Sequence, residues 1–321
     1  MKALVFSTGG AHLTTMLGML EELYRKKELE NIDSYAGISA GAILAAFCAT
    51  RPIDKAIAQL RGIMVEHYKD AIKPHYNFLN IPLSALFQKS ILDDSGLKKI
   101  LQKELEENKL KAGLYIGLTN ETDMQYELHA FGGDDNAKKQ TLGLAEAVHA
   151  SASIPVILKG EDVMEKHFSD GGVFHQIPVL AIEKMLEQAS KENSKHLELT
   201  IISSSTWKYR PKEAEKSKLP FLAKKTMHFL DCTNYNNLSS DREILREAIA
   251  LYAGRTSFSM RMFSVPTKLL RDLHHRFTLD KLGNMKEKDI DELQELGRRI
   301  VQANCATYDI LQDEPSPVLK Y

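Results

Sequence analysis

The sequence predicts an α/β fold with a parallel sheet flanked by helices. A strand–glycine turn–helix unit occurs twice between Ala3 and Ala49. Repeated in that order, the unit returns the chain in the same direction each time, as crossovers between parallel strands do. Hydrophobic residues make up 43% of the 321 residues, enough for the sizeable core such a sheet needs.

The elements follow in chain order. Ala3 to Phe6 is a short apolar run of the kind used for a buried parallel strand. Ser7 to Gly10 is a glycine turn. Leu13, Met16, Leu17, Leu20 and Leu23 then fall at helical spacing. Ile32 to Ala36 is the second strand, Gly37 to Gly41 the second turn, and Ala42 to Ala49 an apolar helix of small residues. Ile53 to Tyr68 and Ser95 to Leu105 read as helices, the latter with Asp94 or Ser95 as cap. Between them, Lys73 to Leu92 carries Pro74, Pro82 and several aromatics, and reads as an irregular apolar segment over an active-site mouth. Leu114 to Leu118 and Gln125 to Phe131 are strands around a loop at Asn120 to Asp123. Thr141 to Ala150 is a helix. Phe168 leads into Asp170-Gly171-Gly172. Pro178 to Ala189 is a helix with proline at its start, where the missing N–H costs nothing. Leu197 to Ile202 is a further strand.

Beyond Ser205 the composition shifts. Lys208 to Lys225 is basic, against only Glu213 and Glu215, and helical patterns resume at Arg242 to Tyr252 and Lys288 to Leu311. The expected organisation is a core over 1–205 and a mainly helical extension over 206–321, packed on the same body.

Composition narrows the function classes. Lys plus Arg number 42 and Asp plus Glu 43, so the net charge of −1 provides no general basic footprint, which argues against nucleic acid as the main partner. Cys48, Cys232 and Cys305 are far apart, and none belongs to a C-x-x-C pair. They offer no disulfide framework and no metal-ligand spacing, so neither a metal nor a cofactor is expected. The start of the chain has no apolar region of signal-peptide length, and the longest uncharged stretch, Ser34 to Thr50, falls short of a membrane span. These features predict a cytoplasmic protein whose contact with a membrane surface is peripheral. Lys208 to Lys225, enclosing Leu219, Pro220, Phe221 and Leu222, is the candidate contact.

Three constellations carry chemistry. Gly37-Ile38-Ser39-Ala40-Gly41 is a G-x-S-x-G motif between a strand and a helix. A nucleophilic serine must stand clear of a sheet on a sharp turn, and small neighbours let the backbone take it. Ser7-Thr8-Gly9-Gly10-Ala11 lies between the first strand and helix, where glycines let backbone N–H groups converge on a negative oxygen. It lacks the G-x-G-x-x-G spacing and the Lys-Ser/Thr ending of a phosphate loop. Asp170-Gly171-Gly172 sets a carboxylate after a strand, although Asp-Gly alone is an ordinary turn signal.

These blocks, with Ala147-Val148-His149-Ala150-Ser151-Ala152-Ser153-Ile154-Pro155, stand in the order and spacing of the patatin-like phospholipases, which the chain resembles from Lys2 to about Val179. The resemblance implies a three-layer α/β/α sandwich around a mostly parallel sheet, and a Ser-Asp dyad that cleaves lipid esters. Ser39 is then the nucleophile and Asp170 the base. Gly9, Gly10 and Ala11 form the oxyanion hole, Gly37 and Gly41 belong to the nucleophile elbow, and Gly171 and Gly172 to the Asp-Gly-Gly block. The substrate class is the fatty-acyl esters of phospholipids, lysophospholipids or acylglycerols. The chain departs from the family where Thr8 replaces a third glycine, His12 an Arg or Lys, and Leu13 a glycine. Thr8 still has a backbone N–H to offer the hole. Two other readings stand beside this one. An α/β-hydrolase would use a Ser-Asp-His triad, with His175, His228, His274 or His275 as its histidine. A lipid-binding or interaction domain would keep the fold without turnover.

Overall fold

The computed structural model describes residues 1–71, 73–74, 92–106, 108–132, 142–155, 157–191, 196–204, 221–252, 254–266 and 285–303. Its strands are β1 (Lys2–Phe6), β2 (Ser34–Ile38), β3 (Lys73–Pro74), β4 (Leu92–Asp93), β5 (Gly113–Asn120), β6 (Gln125–Phe131), β7 (Glu161–Val163), β8 (Lys166–Asp170), β9 (Leu197–Ser203) and β10 (Phe258–Ser264). Its helices are α1 (Leu13–Arg25), α2 (Ala40–Thr50), α3 (Ile53–Ala71), α4 (Ser95–Leu105), α5 (Leu144–Ser151), α6 (Val179–Lys191), α7 (Phe221–Tyr252) and α8 (Glu287–Gln302).

The central sheet runs β10-β9-β1-β2-β5-β8-β7, with β6 also on β5. From β10 to β5 every pairing is parallel; β6, β7 and β8 add antiparallel pairings. Alternation along the strands sorts side chains to two faces. Leu4, Phe6, Ile116, Leu118 and Phe168 enter one core, with α1 to α5 and α8. Ala3, Val5, Ala36, Leu199 and Met262 enter the other, with α6 and α7. The result is the expected three-layer α/β/α sandwich with a mostly parallel sheet. Every residue of α2 is buried, as its unbroken apolar run requires.

β6 occupies one side of β5 from Leu114 to Asn120, so β2 and β8 must share the other side. β2 pairs up to Ile38 opposite Gly117, and β8 takes over with Asp170 opposite Leu118. The two strands run head-on along β5. The residue that ends β8 and the residue that follows β2 therefore face each other.

Several elements differ from the sequence reading. The helix expected to start at Arg242 begins at Phe221, and β10 lies in a stretch where no element was expected. β10 is an edge strand, and only part of it is buried, so its apolar alternation is weak. The residues beyond 205 thus contribute an edge of the main sheet as well as helices in both cores. Asp94 stands at the cap position of α4 but its side chain makes no cap bond; Asp93 accepts the Ser95 N–H instead, at 2.9 Å. The expected irregular segment from Lys73 is described only at Lys73–Pro74 and Leu92, where β3 and β4 pair; 75–91 lies outside the described residues. So do 208–220 of the basic stretch and the expected helix beyond 303.

Candidate active site

Ser39 leaves β2 on a strained turn, with φ 59° and ψ −129°. A side chain in that region costs about 1–3 kcal/mol and persists only where its surroundings enforce it. Close packing enforces it here. A methyl on Gly37 would lie 2.1 Å from the Gly41 carbonyl oxygen, and one on Gly41 would lie 2.3 Å from that of Ser7. The turn can close only with glycine at both positions. The Ser39 N–H donates to Ser151 Oγ at 2.9 Å, and Ser151 Oγ donates to the Gly117 carbonyl at 2.7 Å. The last residue of α5 thereby ties the elbow to β5.

Asp170 meets Ser39 where the two strands abut, and the Ser39 hydroxyl lies close enough to its carboxylate to draw its pKa down. Oδ1 accepts the Gly172 N–H at 2.7 Å. The Asp170 backbone is held twice: its N–H donates to Ser153 O at 2.9 Å, and its carbonyl accepts Thr119 Oγ1 at 2.8 Å. Ser39 is 4% exposed and Asp170 5%. Burial pushes the Asp170 carboxyl up to about 7, against the opposing pull of the nearby Ser39 hydroxyl and the Gly172 N–H. Gly171 opens the short 3-10 turn Gly171–Val173 that follows.

The glycine loop lies beside the elbow. A methyl built on Gly9 would come within 3.5 Å of the Ala40 side chain. Gly10, at φ +48°, starts a 3-10 turn through Ala11 to His12 that runs directly into α1. N–H groups at such a helix start have no intrahelical acceptor. Thr8 is different, and here the expectation needs correcting. Its N–H donates to Gln176 O at 2.8 Å, so it is not available to an oxyanion. Thr8 Oγ1 also donates to Gln176 Oε1.

The histidines weighed from sequence fall elsewhere. His175 bonds Asp241 through Nδ1 at 2.6 Å and packs edge-on against Tyr126, with ring centroids 4.6 Å apart. The side chain of His228, and His274 and His275 entirely, lie outside the described residues. Among the described residues no group of three or more His, Cys, Asp and Glu side chains could hold a metal ion.

The model of one protein family, patatin-like phospholipase, matches residues 4–182. The chain belongs to the patatin-like phospholipase family. Lipid-ester hydrolysis is the activity that this membership brings. No curated protein matches the chain. Among solved structures, VipD from Legionella pneumophila is similar at 14% identity and a TM-score of 0.39, over 93% of this chain and 67% of VipD. The type III effector protein ExoU is similar at 12% identity and a TM-score of 0.27, over 94% of this chain and 64% of ExoU.

The patatin-like match encloses the glycine loop, the elbow, the Ala147–Pro155 block and Asp170-Gly171-Gly172. It stops before α7, which carries two residues that touch this site and that sequence reasoning missed. Asn237 donates to the carbonyls of Gly172 and Val173, and Asp241 binds His175, Gln176 and Ile177. Ser151 and Gln176 were missed as well. The only sequence signal for Ser151 was its place in the Ala-Ser block; for Asp241 there was none. Among the described residues of this patatin-like chain, no helix is long and apolar enough to cross a membrane.

Proposed function

We propose that the chain is a serine acyl hydrolase of lipid esters, with Ser39 as nucleophile and Asp170 as base. One observation carries the reading: a buried carboxylate stands beside the hydroxyl of a serine held on a strained strand-to-helix turn. A carboxylate in water is too weak a base for an alcohol. Burial brings Asp170 to about 7, where a general base works well at neutral pH.

Ser39 Oγ bonds to the ester carbonyl carbon as its proton passes to Asp170. Charge develops on the carbonyl oxygen, and the N–H groups of Gly9, Gly10 and Ala11 receive it; one such donor is worth roughly 10²–10³ in rate. Collapse breaks the carbon–oxygen bond to the leaving alcohol, which takes the proton from Asp170. Water then attacks the acyl-enzyme, again giving its proton to Asp170, and the fatty acid leaves as Ser39 recovers its hydrogen. The substrates are fatty-acyl esters of phospholipids, lysophospholipids or acylglycerols, met at a membrane surface that the enzyme contacts peripherally.

The test is labelling with a fluorophosphonate, which captures an activated serine with loss of fluoride. Wild type should label and release fatty acid from lipid vesicles, while Ser39→Ala and Asp170→Asn should do neither with the fold retained. Near-normal turnover in either variant would overturn the assignment.

A further inference from the structure

The loops around Ser39 and Asp170 are held together by a strap that α7, outside the family match, fixes in turn. Gln176 bridges them. Its carbonyl accepts the Thr8 N–H at 2.8 Å, its Oε1 accepts the Thr8 hydroxyl, and its Nε2 donates to the Gly172 carbonyl at 2.9 Å. One residue thus fastens the glycine loop to the Asp-Gly-Gly turn. Gly172 in turn donates the N–H that aims the Asp170 carboxylate.

Gln176 is itself fixed by α7. The Asp241 carboxylate, 0% exposed, accepts the N–H groups of Gln176 at 2.6 Å and Ile177 at 2.9 Å on one oxygen, and His175 Nδ1 at 2.6 Å on the other. One helical turn earlier, Asn237 donates to Gly172 O at 3.0 Å and Val173 O at 2.7 Å. Residues four apart share a helix face, so one face of α7 grips the strap from Gly172 to Ile177 at both ends. A fully buried carboxylate is costly unless its bonds are made, and Asp241 spends all three on this strap.

We propose that Asp241 is a positioning residue for the Ser39–Asp170 site, acting through Gln176 to set the glycine loop against the Asp170 turn. The assignment rests on the dyad reading above. The catalytic unit then includes α7, and the segment 1–205 is incomplete without it. Asp241 touches no reacting atom. Its effect is on the rate constant of each folded site, because displacement by about 1 Å can cost on the order of 10²-fold.

The experiment compares wild type, Asp241→Asn and Asn237→Ala in the full chain, with Ser39→Ala as the blank. Two quantities separate positioning from folding: the fraction of protein that fluorophosphonate labels at completion, and the rate constant for labelling those sites. Asp241→Asn should label to near the wild-type fraction with a rate constant down about tenfold or more, and its loss on a lipid ester should fall in kcat rather than KM. Asn237→Ala, at a partly exposed position, should show a smaller loss of the same kind. A rate constant within about twofold of wild type in Asp241→Asn would overturn the proposal, as would a loss confined to the labelled fraction. If Asp241→Asn does not fold, Asn237→Ala decides by the same two quantities. Wild type that fails to label would instead strike at the dyad reading itself.

Discussion

Ser151 Oγ accepts the backbone N–H of Ser39 at 2.9 Å while donating to the Gly117 carbonyl at 2.7 Å. Two residues on, the Ser153 carbonyl accepts the N–H of Asp170 at 2.9 Å. One short stretch at the end of α5 therefore holds both Ser39 and Asp170. Ser151→Ala should remove the acceptor and leave the Ser39 N–H and Gly117 carbonyl unpaired in a buried site. The expected cost is about 1–3 kcal/mol in stability by urea denaturation, with a fall in the labelling rate constant of Ser39. Unchanged stability and labelling would mean that water replaces the hydroxyl.

The buried Asp170 carboxyl, raised to about 7, makes activity and stability run in opposite directions with pH. The proposed base works as the carboxylate, so kcat/KM should rise through a midpoint near 7. Stability has the other sign. A pKa raised on folding contributes stability below the ordinary carboxyl value, and that contribution is lost as pH rises through 7. Asp170→Asn removes the buried charge. At about 1.4 kcal/mol per pKa unit, it should be more stable than wild type by a few kcal/mol near pH 8 and not near pH 4, while inactive. Melting temperatures of both proteins across pH check this; equal values at all pH would show that Asp170 is not charged against its surroundings.

His149 sits between two carboxylates, Glu161 at 2.7 Å from Nδ1 and Asp94 at ion-pair distance, 3.4 Å from Nε2. Burial opposes its charge, but the two carboxylates outweigh burial and raise its pKa. Burial would raise Asp94 and Glu161, yet His149 beside both, with Lys98 on Glu161, holds them below the usual range. The signs define a window. The stabilisation from the carboxylates is present above their ordinary pKa values and lost as pH falls; that from His149 is present below its ordinary value and lost as pH rises through the raised one. His149→Gln should flatten the melting-temperature profile at both ends. An unaltered profile would assign the pH dependence to other groups.

Two glycine substitutions should diverge. Gly41→Ala would drive a methyl to 2.3 Å from Ser7 O and 2.6 Å from Phe6 O, so the elbow must open; soluble yield, stability or Ser39 labelling should collapse. Gly62→Ala, inside α3 with nothing within 4 Å of the added carbon, should raise stability by about 0.5–1 kcal/mol, read in urea. If both variants behave alike, close packing at the elbow is not what demands glycine there.

Much of the fold was legible because its signals are short-range. The apolar runs Ala3 to Phe6 and Ile32 to Ala36, the glycines that follow them, and the periodicity of Leu13 to Leu23 each report on a few neighbouring residues, and the structure builds strand, turn and helix from them. Leu114 to Leu118 and Leu197 to Ile202 were visible for the same reason. β10 was not, because an edge strand that is only partly buried needs no strong alternation. Nor was β7, which is three residues long.

By itself the sequence determined the α/β class, the order of its elements and the residue types able to do acyl transfer: a serine on a glycine turn, a carboxylate before two glycines, and a glycine loop. Tertiary structure decided which of them meet. Ser39 and Asp170 face each other because β2 and β8 run head-on along β5, a register that no local pattern encodes. Asp241, 66 residues beyond His175, grips the strap from His175 to Ile177 because a buried carboxylate must find its donors wherever the fold brings them. The Thr8 N–H, which the sequence left free to donate, is claimed by the Gln176 carbonyl. Propensity and periodicity are read over a few residues, whereas register, burial of charge and hydrogen-bond ownership are settled between segments far apart in the chain.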